Sequence, residues 1–104
     1  MFAGVPQATI EAEGMVSEAV ASQLAAGIRQ RTGASLGIGI TGLAGPGGGI
    51  GADAKKPVGL VYIGLADASG TSVKDVKITG DRERVRWWAS QHALEMVRRR
   101  LLQG

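Results

Sequence analysis

An α/β domain is predicted for this chain, and three observations carry the prediction. Apolar residues four apart, flanked by alanines, mark a helix over residues 17–31. Residues 36–41, 58–67 and 71–79 have the alternating or continuously apolar character of strands. From residue 81 to 102 the spacing is helical again, and the resulting order of helix, strand, glycine loop, strand, strand, helix stacks helices and sheet in layers. At 104 residues, positions 1–104 form one domain by length, able to bury about two-thirds of the unfolded chain's surface.

Residues 1–15 hold a helical turn or two, with Pro6 suited to a first helical position and Gly14 to a stop. In the helix that follows, Ser17 is the expected N-cap, and Val20, Leu24 and Ile28 form the apolar row with Ala21 and Ala25 beside them. Arg29 and Arg31 suit the negative end of its dipole, and Gly33 the left-handed cap. In the first strand Leu36, Ile38 and Ile40 alternate with Gly37 and Gly39, so one face is bare and a helix is expected to approach it closely.

The glycines from Gly42 to Gly51 cannot sustain helix or sheet and form a loop. Residues 58–67 are apolar on both faces, the pattern of a central strand. A turn at Asp67, Ala68, Ser69 and Gly70 leads into a more polar strand nearer an edge, with Val76 and Ile78 alternating with Asp75 and Lys77. Asp81 caps the last helix, which places Val85, Trp88, Ala89, His92, Ala93 and Met96 on one broad face and closes on Arg98, Arg99 and Arg100.

Composition removes several chemistries. Without cysteine there are no disulfides, thiolate zinc sites or cysteine nucleophile, and the single histidine rules out a two-histidine metal site. His92, on an apolar stripe with no carboxylate at an orienting spacing, reads as a packed core or boundary side chain. No metal or other cofactor is expected. No stretch of 18 apolar residues occurs and residues 1–10 lack a signal-peptide pattern, so a cytoplasmic protein making no membrane contact is expected. The net charge of +3 fits an anionic ligand as readily as nucleic acid, but no aromatic interleaving supports the latter.

Chemistry concentrates at two places. In TGLAGPGGGIG, residues 41–51, successive backbone N–H groups without neighbouring side chains can build a concave anion nest, with Lys55 and Lys56 adding charge; the same residues also suit a plain connector. This is no Walker A loop, and the GxGxxG letters at Gly37, Gly39 and Gly42 lie within a strand rather than opening a helix. At the start of the last helix Arg82, Arg84 and Arg86 stand where the dipole disfavours cations. An anion between them and the glycine loop would remove the conflict; otherwise Asp81 and Glu83 neutralise the turn while the arginines reach water. Trp87 and Trp88 point in different directions, so at most one joins the core and the other is free for a partner or for a further part of a larger domain.

An opening Ala3, Gly4, Val5, then EGMVSEAVA at 13–21, TGLAGPGGG at 41–49, KPVGLVYIGL at 56–65 and GDRERVR at 80–86 resemble, in order, the CinA C-terminal domain family. The resemblance implies a three-layer α/β/α fold with a mixed sheet, here without the family's first helix and strand. It implies hydrolysis of the amide of nicotinamide mononucleotide to the acid and ammonia. The family's catalytic serine, tyrosine and lysine belong to ESCTGG and YSNxxK motifs that this sequence does not contain, so no catalytic residue is carried over. What matches is a substrate- or phosphate-binding wall: Thr41, Gly42, Ala44, Gly45, Gly47, Gly48 and Gly49, with Arg82 and Arg86.

These observations lead to a truncated amidohydrolase-family domain that binds a nicotinamide nucleotide and is inactive alone. The alternative is a non-catalytic interaction or assembly module of the same fold. Either is expected to form homo-oligomers, because losing a helix and strand uncovers apolar faces.

Overall fold

The computed structural model describes residues 6–43, 53–54 and 56–102. Three helices, α1 (Gln7–Glu13), α2 (Glu18–Thr32) and α3 (Arg82–Leu102), accompany three strands, β1 (Gly37–Gly42), β2 (Leu60–Asp67) and β3 (Gly70–Lys77). The sheet order is β1-β2-β3, antiparallel throughout. The parallel pairing that a mixed sheet requires is not found among the described residues.

Helix ends follow local chemistry. Ser17 caps α2 by accepting the Val20 N–H at 3.2 Å, and Gly33 takes the left-handed conformation at φ 69° while its N–H donates to the Arg29 carbonyl. Asp81 receives the Arg84 N–H at 2.9 Å and so caps α3. Pro6 stands one position earlier than expected: its extended backbone (ψ 142°) makes it the N-cap of α1, and its carbonyl accepts from Thr9 and Ile10.

The bare strand face is filled as expected. Gly39 pairs with Gly64 and Gly37 with Ala66, which aligns three glycines on one side of the sheet, and α2 lies directly on them. A Cβ added at Gly39 would stand 2.6 Å from the Ala25 nitrogen and the Leu24 Cβ, and 2.7 Å from the Ala21 carbonyl oxygen. At Gly64 it would strike the Ala21 carbonyl, and at Gly37 the Ala25 carbonyl. Ala21 and Ala25 are fully buried in this contact.

The opposite face carries the branched side chains. Val61, Ile63 and Ile78 pack with Val85, Ala89 and Ala93 of α3, joined by Ile38, Val76 and Met96. Helix, sheet and helix thus form three layers. At the far end of the sheet Asp67 accepts from the Ser69 N–H (2.9 Å) and hydroxyl (2.7 Å) and pairs with Arg100, tying the end of α3 to the β2–β3 turn.

Two sequence expectations change. Ile28 is 39% exposed, because the row facing the sheet runs through residues 21, 25 and 29 and turns Ile28 aside. Neither tryptophan enters the core: α3 meets the sheet along the narrow row 85, 89 and 93, leaving Trp88 40% and Trp87 56% exposed, edge to face at 4.9 Å. His92 takes a half-buried, boundary position, its Nδ1 3.5 Å from the Lys74 ammonium.

Gly39→Ala is therefore expected to destabilise the domain by about 1–3 kcal/mol or more, since backbone rather than a flexible side chain blocks the new methyl. Gly33→Ala, with nothing within 4 Å of its Cβ, should cost only about 1 kcal/mol through its left-handed backbone. Urea unfolding of the two variants measures the difference; equal losses would disprove the close helix–sheet contact.

Candidate functional site

Antiparallel pairing brings the last residue of β1 opposite Val61 and the first residue of β2 opposite Lys77, so β1 ends, β2 begins and β3 ends at one edge of the sheet. Helix α3 starts from that edge. Helix α2 starts there as well, because the Thr41 hydroxyl donates to the Met15 carbonyl just before the Ser17 cap. Two helix N-termini, each with orphan N–H groups and the positive end of a dipole, thus lie at the end of the sheet where β1 ends.

A partly buried ion pair holds this end together. Asp53, 6% exposed, accepts the Met15 N–H at 2.9 Å and the Val16 N–H at 3.1 Å, and pairs with the Lys56 ammonium at 2.8 Å. The other two ammonium hydrogens go to the Glu13 (2.7 Å) and Val16 carbonyls, which uses the donor capacity of Lys56 in full. Burial pushes the Asp53 carboxyl up, but the Lys56 ammonium and the two backbone N–H groups outweigh it and hold the group below its ordinary 3.8. Gly14, at φ 86°, leaves room for this pair: a Cβ there would run into the Asp53 carboxylate.

Beside the clamp opens a cleft of 510 Å³ lined by Glu13, Ser17, Glu18, Ala19, Ser22, Lys56 and Tyr62. Tyr62 is the register partner of Thr41, so the cleft adjoins the expected binding wall. The Ser17 hydroxyl donates to the Gly14 carbonyl while accepting from Val20, which engages it as a cap rather than as a nucleophile. Among the described residues no group of three His, Asp or Glu side chains could hold a metal ion, and no helix is long and apolar enough to cross a membrane.

Of the expected site residues, Thr41 and Gly42 sit at this sheet end. Ala44, Gly45, Gly47, Gly48 and Gly49 lie outside the described residues, as does Lys55. Arg82 and Arg86 are exposed on α3, on the opposite face of the sheet from α2, and make no ion pair among the described residues. Arg84 donates from Nε to the Thr79 carbonyl at 3.0 Å, so that cation stabilises the turn. The expectation that Lys56 adds free charge over the loop is corrected: its charge is met by Asp53. Sequence reading missed Asp53, Tyr62 and the clamp; the available signal was an aspartate three residues before a lysine in GADAKK.

The chain belongs to the CinA C-terminal domain family, whose model matches residues 1–101. It is 52% identical over 102 residues to a CinA-like protein of Koribacter versatilis (strain Ellin345), covering 98% of this chain and 24% of that one. It is 44% identical to a putative competence-damage inducible protein of Moorella thermoacetica, covering 96% and 23%. The fold superposes on the competence damage-inducible protein A of Klebsiella pneumoniae subsp. pneumoniae with a TM-score of 0.84 at 30% identity, over 94% of this chain and 59% of that one. For the competence/damage inducible protein CihA of Agrobacterium tumefaciens the TM-score is 0.76 at 37% identity, over 90% and 56%. The chain therefore spans about a quarter of the length of the curated relatives it matches.

The clamp sets an acid limit. Because the folded pKa of Asp53 is depressed, its stabilisation is complete above 3.8 and lost as pH falls through the folded value. Asp53→Ala should cost about 1–3 kcal/mol near neutrality, leaving two backbone N–H groups and an ammonium without their acceptor. Glu95, held at about 2 by Arg98 and then Arg99, titrates in the same acid range. The measurement is therefore the difference between wild-type and variant unfolding curves, which should shrink as pH falls below 3.8; a constant difference would remove Asp53 from the clamp.

Proposed function

We propose that this chain is the nucleotide-positioning part of a nicotinamide mononucleotide amidohydrolase, binding the phosphorylated substrate without hydrolysing its amide. The single observation that supports this is the convergence at one sheet edge. Thr41 and Gly42 end β1 beside two helix N-termini, next to an open cleft, where a glycine-rich stretch leaves the strand. Backbone N–H groups of Ala44, Gly45, Gly47, Gly48 and Gly49 bind the phosphate in this reading, and Arg82 and Arg86 add charge from the start of α3.

Catalysis does not accompany binding. Ser17, a buried serine of the cleft, is committed to capping, and Lys56 is committed to Asp53, so these two do not form an activated nucleophile–base pair. A site that holds substrate without attacking it separates affinity from turnover. A non-catalytic interaction or assembly module of the same fold is the second reading, favoured by the exposed tryptophans and leucines of α3.

The two readings differ in ligand binding. Calorimetric titration with nicotinamide mononucleotide should give saturable heat, the ligand should raise the melting temperature, and an ammonia-release assay on the same chain should show little or no turnover. Gly47→Ala with Gly48→Ala should weaken binding, since a Cβ crowds the backbone donors and disfavours positive φ. Absence of binding favours the interaction or assembly module; brisk turnover contradicts the separation.

A further inference from the structure

Charge is strongly segregated in this chain. Helix α3 carries six of the twelve basic side chains, Arg82, Arg84, Arg86, Arg98, Arg99 and Arg100, but only two of the nine acidic ones, Glu83 and Glu95. The helix therefore bears +4, and the remainder of the chain −1. Apolar exposure concentrates on the same helix: Trp87, Leu94 and Leu101 are 56%, 63% and 65% exposed. They recur every seven residues, two helical turns apart, and Val97 extends the row. The row lies away from Val85, Ala89 and Ala93, which face the sheet.

The shape of this row decides what it fits. A bilayer surface selects a broad apolar face, whereas a narrow seam with a seven-residue repeat is the geometry by which one helix receives another. Arg84, which also holds the Thr79 carbonyl, and Arg98 border the seam, with Glu83 one turn before Trp87; Arg98 and Arg99 share the single carboxylate of Glu95, so a small positive excess remains beside it. Pairing with α3 of a second copy would set arginine-rich helices together. A helix with acidic flanks would meet them with opposite charge.

We propose that the outward seam of α3, Trp87–Leu94–Leu101, is a docking site for an amphipathic partner helix whose apolar row is flanked by Asp or Glu. The seam supplies the apolar contact, with Trp87 as its largest anchor, and the arginines select the acidic flanks and set orientation. This inference does not depend on nucleotide binding.

Both tryptophans of the chain lie on α3, so their emission reports directly on the seam. The probe is a tryptophan-free synthetic helix of α3's length with leucine along a heptad seam and glutamate at the flanking positions; the control carries lysine there. The acidic peptide should give a saturable blue shift and bind at least about tenfold tighter than the control, with the preference falling as salt is added. Leu94→Glu and Leu101→Ser replace exposed side chains and should weaken binding by at least about tenfold while leaving the melting temperature unchanged. Equal binding of the two peptides, or none, overturns the proposal. So does wild-type dimerisation abolished by Leu94→Glu, which assigns the seam to a second copy. A blue shift with phosphatidylglycerol vesicles but not with the peptide overturns it in favour of a lipid surface.

Discussion

Everything at the sheet end where the candidate site lies depends on how deeply α2 sits on the sheet. Glycine at positions 37, 39 and 64 removes the Cβ atoms that would strike the helix backbone, and alanine at 21 and 25 lets that backbone come down onto the strands. The glycines raise the entropy cost of folding by roughly 0.5–1 kcal/mol each relative to alanine, which the close contact must offset. In return, the start of α2 is drawn within hydrogen-bond reach of Thr41, and the turn before it comes within reach of Asp53 and Lys56. A helix held a side chain's width higher would lose both.

The clamp and the helix contact divide the work between them. Packing sets the depth of α2 but is tolerant of sliding along a smooth glycine face. Asp53 and Lys56 remove that freedom, because two N–H groups, two carbonyls and an ion pair must be satisfied at once in a partly buried place. The cleft beside Tyr62 is the space left over when both conditions hold.

The two sides of the sheet use different means. Toward α2 the glycine surface is bare, and Leu24 covers it from the helix while clustering with Val20 and with Ile10 of α1. Toward α3 the sheet supplies the bulk, through Val61, Ile63 and Ile78, and the helix presents a narrow row of small side chains. A narrow contact leaves most of α3 in solvent. That is why Trp88, expected in the core, lies half outside it, and why the large apolar residues of this helix are free to face a partner.

By itself the sequence determined the order of elements, the caps at Ser17, Gly33 and Asp81, and the demand for a close neighbour over Gly37 and Gly39. Each of these rests on interactions between residues near in the chain, where spacing and residue type are sufficient. The motif order also determined the family. Tertiary structure alone decided which helix row faced the sheet, displacing Ile28 and Trp88, and it alone placed Gly64 beside Gly39. It also turned Lys56 from a free cation into the partner of Asp53, because Glu13 and Val16, some forty residues earlier, supply acceptors that no local pattern announces. Pairings across such distances depend on register and packing depth, and those exist only once the chain has folded.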